Sequence, residues 1–414
     1  MRILAIHRYF WPDTPPYASL LRAIVARWAK DGHEVDVLSS QPGYKREANI
    51  ARQKSVETID GFSVRRVSLP NEVGRSLARL WNVARFSIAI LWQAVIRKRY
   101  DMIMVSTAPP VILGVVVRWA CRLSGATMIY HCMDIHPEIG RISGEFRHPM
   151  IFKRLQNADT KTCEFADTVV VLSDDMANSI KDRKPGLSAR FKIINNFELP
   201  SFETPAGCEP QADPMPAQRE GVFRLLFAGN LGRFQGLDTV LQLYVESLAQ
   251  GTLLDTEFWF MGDGKAKAQL VEIAGEHLNK RVFFLPHSPL PAARRAMQMC
   301  DAGLISLSKD IFRYAFPSKL MTYLSEGCTI LAAIEKDSAL ATLIDTHHIG
   351  EVIDVAKPDE FIKRIEALSM SKEERLQRSL RIRSVSNELF SQEKVLDVWS
   401  ELAKEVSQRV SHEV

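Results

Sequence analysis

The residues best suited to chemistry lie in the second half of the chain, at turns that follow short apolar runs. One run, at 225–228, leads through Gly229-Asn230-Leu231-Gly232-Arg233 into a helical pattern. Glycines let a ligand approach the backbone closely, and N–H groups at a helix start attract anions. Arg233 adds a guanidinium that matches phosphate oxygens. The pattern is compatible with a phosphate-binding turn and with a plain strand–helix connection whose arginine lies in solvent.

Two further segments follow apolar runs in the same half. Gly262-Asp263-Gly264 makes a tight turn after the run 257–261, at the strand end where open α/β sheets bind ligands. Pro317-Ser318-Lys319 marks a helix start. A lysine in a first turn opposes the helix dipole, so it suggests a bound anion such as a diphosphate. The alternatives are an ordinary turn and a lysine that extends into water.

The first half contains one polar cluster, His131 to Glu138 (HCMDIHPE), after the apolar run 127–130. Its histidines and carboxylates fit acid/base catalysis or a metal site. A metal is disfavoured, because His136 and Glu138 form the sole close pair and neither has a partner at helical spacing. His131 and Asp134 are therefore candidates for contact with a substrate. The alternative is structural, with Asp134 capping a turn that Pro137 fixes.

Several familiar motifs are missing from the sequence. The segment 7–19 contains no glycine, which argues against a dinucleotide at the first strand–helix turn. No GxxxxGK[ST], GxSxG, HExxH or DxD motif occurs. The six cysteines form no CxxC pair and fit a reducing compartment. The sequence therefore predicts neither a cofactor nor a bound metal.

Strand and helix patterns alternate along most of the chain. Strand patterns occur at 2–7, 34–39, 101–106, 125–130, 168–172, 191–194, 223–227, 257–261, 282–285, 303–307 and 329–333, and helical patterns at 19–30, 75–99, 110–123, 237–249, 265–278, 318–327 and 385–410. A proline-rich stretch at 199–221 interrupts the alternation and reads as a linker. The prediction is an α/β protein with two Rossmann-like, doubly wound domains. The alternative is one large sheet with an inserted loop.

Charge is unevenly distributed along the 414 residues. The net charge is +4, yet residues 1–154 contain 23 Lys and Arg against 12 Asp and Glu, a balance of +11 that leaves −7 for the remainder. The helical stretch 75–99 combines large apolar side chains with six basic ones. It can be a helix covering a sheet or a surface for anionic lipid headgroups, and both interpretations stay open. No signal peptide or membrane-spanning pattern is apparent, which predicts a cytoplasmic protein.

These segments together resemble retaining, nucleotide-sugar-dependent glycosyltransferases of the GT-B fold, family four, in the subgroup that builds bacterial exopolysaccharides and O-antigens. Ser106-Thr107-Ala108-Pro109-Pro110 resembles the "S-x-P-P" turn of that family, and Met133 to Glu138 its "D-L-x-P-E" segment. The glycine turns at 229–233 and 262–264 match closely. Pro317-Ser318-Lys319, with Tyr323, Leu324 and Gly327, is similar to the helix at the donor site. The resemblance covers nearly the whole chain.

The resemblance implies two domains facing a cleft. Residues 1–198 would bind the acceptor, joined by a C-terminal helix at 386–414, and residues 222–385 the nucleotide sugar. Arg233 and Lys319 would neutralise the diphosphate without a metal, and Gly232 would let the backbone near it. The implied acceptor is a polyprenyl-diphosphate-linked saccharide at the inner face of the plasma membrane. The donor-site residues that the resemblance implies are Gly229, Asn230, Gly232, Gly262, Asp263, Gly264, Pro317, Ser318 and Thr322.

The chain departs from the family pattern at two glutamates, whose places Tyr314 and Thr322 occupy. Glu326 lies one turn further on, and Gln235 stands where many relatives have a second basic residue. These departures leave two other functions open. One is a nucleotide-sugar 2-epimerase, which needs no acceptor, and the other is a membrane-associated subunit whose catalytic site has decayed.

Overall fold

The fold is that of a computed structural model, which describes residues 1–13, 15–43, 51–70, 76–198, 215–216, 219–286, 288, 290–368 and 372–412. The chain divides into two compact units. The first comprises Met1–Pro205, Tyr314–Phe316 and Gln392–Val414, and the second comprises Ala206–Arg313 and Pro317–Ser391. Each unit has its own sheet, so the alternative of one large sheet is wrong. Most of the predicted linker, 199–221, lies outside the described residues.

The first unit is built on an eight-stranded sheet in the order β3-β4-β2-β1-β5-β6-β7-β8. Its strands are β1 (Arg2–Ile6), β2 (Glu34–Ser40), β3 (Val56–Ile59), β4 (Phe62–Val67), β5 (Met102–Ser106), β6 (Thr127–His131), β7 (Thr168–Val171) and β8 (Phe191–Ile193). All neighbouring strands are parallel except β3 and β4, which form an antiparallel pair at the edge. The strand order reverses beside β1, where ligands bind in doubly wound sheets.

Helices cover both faces of this sheet. They are α1 (Pro16–Lys30), α2 (Ser76–Leu91), α3 (Ile112–Ser124), α4 (Glu138–Ile142), α5 (Pro149–Phe165), α6 (Asp174–Lys181) and α14 (Gln392–His412). Alternate strand residues enter two cores: Ile3 and Ala5 pack with α1 and α14, whereas Leu4 and Ile6 pack with α2, α3, α5 and α6. Because both faces are covered, the strands are nearly continuous apolar runs.

The second unit contains six parallel strands in the order β11-β10-β9-β12-β13-β14. The strands are β9 (Phe223–Ala228), β10 (Thr256–Met261), β11 (Val282–Leu285), β12 (Ala302–Ser306), β13 (Thr329–Ala333) and β14 (Gly350–Ile353). The helices are α7 (Leu237–Ala249), α8 (Lys267–Ala274), α9 (Leu290–Met299), α10 (Lys319–Ser325), α11 (Ala339–His347), α12 (Pro358–Leu368) and α13 (Lys372–Leu389). Here the strand order reverses between β9 and β12.

The structure differs from the predicted elements at several places. The single helical stretch 385–410 is wrong: α13 ends at Leu389, and α14 begins at Gln392. Phe390 and Ser391 form the break, and the two helices belong to different units. The predicted helix 75–99 continues past α2 as a π-helix over Trp92–Arg97. The hairpin of β3 and β4 is absent from the prediction, because polar side chains mask its strand pattern.

Candidate functional site

The predicted residues of the second half gather at the carboxyl ends of β9 and β12. Gly229 follows β9 directly, and Lys319 begins α10 after the loop that leaves β12. Ligands bind in the crevice outside such strand ends, where the strand order of a doubly wound sheet reverses. The arrangement brings the glycine turn and the lysine, which are 90 residues apart in sequence, to one place in the fold.

Lys319 points inward at this edge. Its Nζ is buried and has no hydrogen-bond partner within the described residues, although part of the residue is accessible. Nζ lies 3.3 Å from the centroid of the Phe227 ring. A side chain at Gly229 would place its Cβ 3.7 Å from the Lys319 amine. The alternative of a lysine extending into water is therefore wrong.

Two contacts fix α10, and with it Lys319. The Tyr323 hydroxyl accepts a hydrogen bond from the Ala228 N–H (2.8 Å) and donates one to the Leu226 carbonyl (3.0 Å). The pairing of β9 with β12 ends at Leu226, and Ala228 lies beyond it, so the phenol satisfies backbone atoms where the two strands diverge. Gly303 leaves room for the ring, because a Cβ there would lie 2.7 Å from it. Tyr323 is one helical turn after Lys319.

The electrostatic state of Lys319 follows from this burial. Desolvation lowers the pKa of Lys319 from its usual value to about 7. The Phe227 ring offers a weak cation–π attraction, about 0.5–2 kcal/mol, which replaces only part of the lost hydration. A buried amine without a counter-charge is an incomplete site. A diphosphate oxygen at Nζ would supply both the missing charge and the missing hydrogen bond.

The two predicted glycine turns pack against each other. The N–H groups of Gly229 and Leu231 donate to the carbonyls of Met261 and Asp263, each at 2.9 Å. Gly262 has φ +141°, and a Cβ there would lie 2.0 Å from the Gly229 carbonyl oxygen. At Gly264 a Cβ would lie 2.3 Å from the Leu231 carbonyl oxygen. Both glycines are thus required by backbone packing, a role that the sequence did not indicate.

The turn after β9 is also held from within. The Gly232 N–H donates to Gln235 Oε1 (3.1 Å), so Gln235 closes the loop. Asn230 is exposed and lies beside Gly232. A Cβ at Gly232 would lie 3.1 Å from the side-chain amide nitrogen of Asn230. Arg233 begins a short 3₁₀ turn, Arg233–Gln235. The side chain of Arg233 lies outside the described residues, and its predicted role stays a prediction.

The remaining predicted donor residues surround the start of α10. Ser318 is its N-cap, although its hydroxyl makes no capping bond, and the Pro317 carbonyl accepts the Leu320 N–H. Thr322 is buried one turn into the helix. Glu326 is not free to replace a missing carboxylate, because Gln298 donates to it (2.7 Å) and Arg294 lies 3.4 Å away. Asp263 is exposed, with its carboxylate accepting the Gly264 N–H (2.8 Å).

In the first unit, His131 ends β6 and is packed in the core. Its Nδ1 lies 2.9 Å from the Tyr17 hydroxyl, and its ring lies 4.9 Å from the Trp399 ring of α14. Burial lowers the pKa of His131 to about 3, so the imidazole is neutral at physiological pH. His7, at the end of β1, is buried against the same tyrosine. With 2% of its surface exposed, His131 can orient neighbours more readily than it can touch a substrate.

Asp134 lies three residues further on and is partly exposed. It forms an isolated antiparallel bridge with Ala315, and the neighbouring Ile135 N–H donates to the Tyr314 carbonyl (2.8 Å). The backbone of Tyr314 thus bonds to the segment that contains Asp134. That Tyr314 replaces a family glutamate stays a prediction. Burial raises the pKa of Asp134, while the nearby His136 acts in the opposite direction.

Glu138, the last residue of the predicted polar cluster, belongs to a buried ionic network. Arg183 lies 2.7 Å from both Glu138 and Asp159, and it also donates to the His136 carbonyl. Tyr130 donates to Asp159 at 2.7 Å. The network fixes the segment that contains Asp134, which the sequence did not reveal because Arg183 is 45 residues away from Glu138. Within the described residues, no group of three or more His, Cys, Asp or Glu could hold a metal ion.

Two family models match this chain, one over each half. Residues 17–196 match the family model described as a glycosyl transferase 4-like domain, and residues 212–384 match that of glycosyl transferases group 1. The chain is 24% identical over 293 residues to the probable glycosyltransferase WbjE of Pseudomonas aeruginosa, covering 67% of this chain and 68% of that protein. It is 23% identical over 363 residues to WcaI of Escherichia coli (strain K12), a putative colanic acid biosynthesis glycosyl transferase, covering 84% and 86%.

Two solved structures have a similar fold. Sucrose-phosphate synthase (tll1590) from Thermosynechococcus elongatus superposes with a TM-score of 0.75 at 12% identity and covers 99% of each chain. Anabaena Alr3699/HepE, solved in complex with UDP-glucose, has a TM-score of 0.66 at 15% identity, covering 98% of this chain and 100% of that one. At these identities the likeness establishes the fold alone.

Proposed function

Because both halves of the chain match glycosyltransferase domain models and the whole chain has the GT-B fold, it belongs to the GT-B glycosyltransferases, and we propose that it transfers a sugar from a nucleoside-diphosphate sugar to a lipid-linked saccharide. The second unit binds the donor and the first binds the acceptor. The observation that carries this proposal is the buried, unpaired amine of Lys319 beside Gly229.

The chemistry of the leaving group explains why such an amine is useful. As the bond between the anomeric carbon and the diphosphate oxygen breaks, negative charge develops on the diphosphate. A positive group held in place before the reaction stabilises that charge without reorganising, which is commonly the largest contribution to catalysis. Lys319 supplies this group in our proposal, and Arg233 supplies a second, so that no metal is needed.

We propose that transfer proceeds with retention, as in the family-four enzymes that the sequence resembles. The acceptor oxygen attacks the anomeric carbon from the face that the diphosphate leaves. The new C–O bond forms as the old one breaks, and the acceptor proton passes to a departing phosphate oxygen. Asp134, a partly exposed residue of the first unit, contacts the substrate, and His131 positions its surroundings.

The nucleotide-binding residues are those around Lys319 and the paired glycine turns. The backbone at Gly229, Asn230 and Gly232 approaches the diphosphate, and the turn 262–264 supports it from behind. Pro317, Ser318 and Thr322 border the same edge at the start of α10. The UDP-glucose complex of HepE supports a nucleoside diphosphate here, because that protein shares the fold.

The acceptor belongs to polysaccharide or O-antigen synthesis in this proposal. The likeness to WcaI, whose name refers to colanic acid biosynthesis, supports a growing polysaccharide. A polyprenyl-diphosphate acceptor is confined to a membrane, so the enzyme would work in the cytoplasm at the inner face of the plasma membrane. Within the described residues, no helix is long and apolar enough to cross a bilayer.

Thermal-shift measurements with UDP, GDP, ADP and dTDP, each with and without EDTA, test the proposal. At a ligand concentration 100 times Kd, binding stabilises the folded state by about 2.7 kcal/mol. We expect one nucleotide to raise Tm by about 5–10 °C, equally in EDTA. Sugar transfer to a lipid-linked acceptor should then depend on that nucleotide's sugar. No shift with any nucleoside diphosphate, or turnover abolished by EDTA, would contradict the assignment.

A further inference from the structure

Helix α2 has two apolar sides, although a helix on a sheet needs only one. Phe86 and Ile90 face the core and are almost fully buried. At 3.6 residues per turn, a second set of apolar residues falls within about 100° on the opposite side. Its large members are highly exposed: Leu77 82%, Leu80 67%, Trp81 62% and Ile88 67%. Packing within the first unit does not account for this second side.

The neighbouring helices extend the exposed apolar area. Helix α3 packs between α2 and α5. It exposes Ile112, Trp119 and Leu123 to solvent. The segment from α4 into α5 exposes Ile142, Met150 and Ile151. We call residues 76–99, 112–124 and 141–154 the three-helix surface. Exposed apolar residues are normal singly, but a group of this size on adjacent helices marks an interaction site.

The charge of the three-helix surface has one sign. Its three segments contain 11 Lys and Arg but one acidic residue, Glu145. Nine of the eleven are exposed, and within the described part of the chain none of those nine forms an ion pair. They are Arg79, Arg85, Arg97, Arg99, Arg122, Arg141, Arg147, Lys153 and Arg154. Arg122 lies 5.4 Å from the Trp119 ring and Arg97 lies 5.5 Å from the Trp92 ring, so cations and exposed aromatics are interleaved.

We propose that the three-helix surface docks on an anionic lipid bilayer, with its apolar side chains in the headgroup region and its basic ones on lipid phosphates. This combination of Leu, Ile, Trp, Lys and Arg is that of interfacial helices. A nucleic acid would use the charges, yet it leaves exposed leucines and isoleucines without a partner. A second copy of the chain would present the same positive charge and would repel. The inference deepens the proposed function, because a lipid-linked acceptor is reached from such a surface.

Sedimentation with phosphatidylglycerol/phosphatidylcholine vesicles tests the proposal. We expect the full chain to pellet with these vesicles at low salt, and to be largely released in roughly 1 M salt, where the Debye length is about 3 Å. The variant L80S/W81S should partition about tenfold less or lower still, since two large apolar side chains are removed. In R85S/R122S, whose two arginines lie beside the exposed apolar residues of α2 and α3, each lost charge should reduce binding about fivefold.

Matched variants in the second unit serve as controls. Leu376 and Leu380 on α13 are 60% and 54% exposed, and Arg381 is exposed beside them. L376S/L380S and R381S should bind vesicles as the wild type does. All these changes are at exposed positions, and an unchanged Tm would show that the fold is intact.

Four results would overturn the docking surface. The first is a wild-type protein that stays in the supernatant, and the second is a loss of vesicle binding in the controls as large as that in the test variants. The third is a protein that binds a single-stranded RNA oligonucleotide but no vesicles, with RNA binding unchanged in L80S/W81S. The fourth is a dimer in sedimentation velocity that L80S/W81S abolishes. The nucleotide-induced Tm shift of the same proteins reports on the proposed function separately. A protein that binds vesicles but no nucleoside diphosphate would retain this surface and lose the proposed function.

Discussion

Lys319 is a single residue whose buried amine has no hydrogen-bond partner within the described residues, which suits it to bind an anionic ligand. Its Nζ lacks hydrogen bonds and its pKa is lowered to about 7, because burial disfavours the charged amine. The unfolded chain binds more protons between about pH 7 and the usual lysine pKa of about 10.4. Stability therefore rises with pH across that window. An anion beside the amine reverses this preference by stabilising the charged form.

The substitution Lys319→Met tests this role, since methionine keeps an apolar stem against Phe227 but removes the charge. Turnover should fall about 10²–10³-fold, as when one preorganised donor of comparable function is lost. The free energy of unfolding should not fall, because no hydrogen bond is broken and the buried amine that disfavours the folded state at neutral pH is removed. Steady-state kinetics and thermal unfolding of both proteins measure the two effects.

The pH dependence provides a second readout of Lys319→Met. Above about pH 7 the free wild-type protein loses the proton from Lys319, so nucleotide affinity should decrease with rising pH, while the variant should show no such decrease. Titration calorimetry at pH 7 to 9 avoids the phosphate ionisation near pH 6. Lys280→Met, at an exposed lysine before β11, is the matched control. Wild-type turnover in Lys319→Met would remove Lys319 from the mechanism.

The sequence predicted the position of Lys319 but not its burial. Pro317 and Ser318 predicted the start of a helix, and in the structure α10 begins at Lys319. The burial depends on Tyr323, whose hydroxyl bonds to β9, and on Gly303, which admits the ring. Those contacts join residues that are 20 to 97 positions apart. The residues near Lys319 in the sequence do not show which distant residues contact it. The sequence alone therefore could not exclude a lysine that extends into water.

At the scale of elements, the site depends on two loops that touch through glycine. The turn after β9 lies against the turn after β10, and a Cβ at Gly262 would lie 2.0 Å from the Gly229 carbonyl oxygen. The sequence identified both turns as candidates for ligand contact. It could not indicate that Gly262 and Gly264 are needed for the loops to approach each other, since their partners lie on a different strand connection.

Gly262→Ala should separate these loops. We expect the variant to be destabilised by about 2 kcal/mol or more, because the methyl group collides with backbone and φ +141° disfavours a side chain. Nucleotide affinity should fall with it, since the Gly229 turn loses its support. Chemical denaturation and a nucleotide thermal shift provide the measurements.

Gly251→Ala separates backbone strain from collision in the same unit. Gly251 also has a positive φ, +78°, but a Cβ there meets nothing within 4 Å. This control should lose about 1 kcal/mol and keep full nucleotide affinity. Equal nucleotide affinity in both variants would show that contact between the loops is unimportant for the site.

The elements that the sequence predicted best are those with uniform surroundings. The fully buried strand β13 was predicted with its observed bounds, Thr329–Ala333, because both of its faces are covered. The edge strand β11 was predicted with its observed bounds, Val282–Leu285, because all four of its residues are apolar. The edge hairpin of β3 and β4 was missed. Its buried Arg66 pairs with Glu57 rather than contributing to an apolar pattern. Where an ion pair is buried in place of an apolar side chain, the hydrophobic periodicity of the sequence no longer predicts a strand.

At the scale of the whole molecule, the chain ends in the unit where it began. Helix α13 belongs to the second unit, whereas α14 completes the first and packs on α1. The Trp28 indole donates to the Trp399 carbonyl (3.0 Å), and the two rings meet edge to face at 5.9 Å. Residues separated by about 370 positions thus form one core. The resemblance implied this return of the last helix, whereas the residue pattern indicated only an amphipathic stretch.

Trp399→Ala should therefore weaken the first unit and leave the donor site unchanged. Trp399 is 1% exposed, and removing a buried tryptophan commonly costs about 3–5 kcal/mol through lost contacts and a cavity. We expect Tm to fall by about 6–20 °C in calorimetry. Nucleotide affinity measured well below that temperature should equal that of the wild type, because Lys319 and the paired glycine turns belong to the second unit. Trp81→Ala, at an exposed tryptophan of α2, should leave Tm unchanged. If Trp399→Ala unfolds no earlier than Trp81→Ala, α14 contributes nothing to the first core, and the joining of distant chain segments into one unit is wrong.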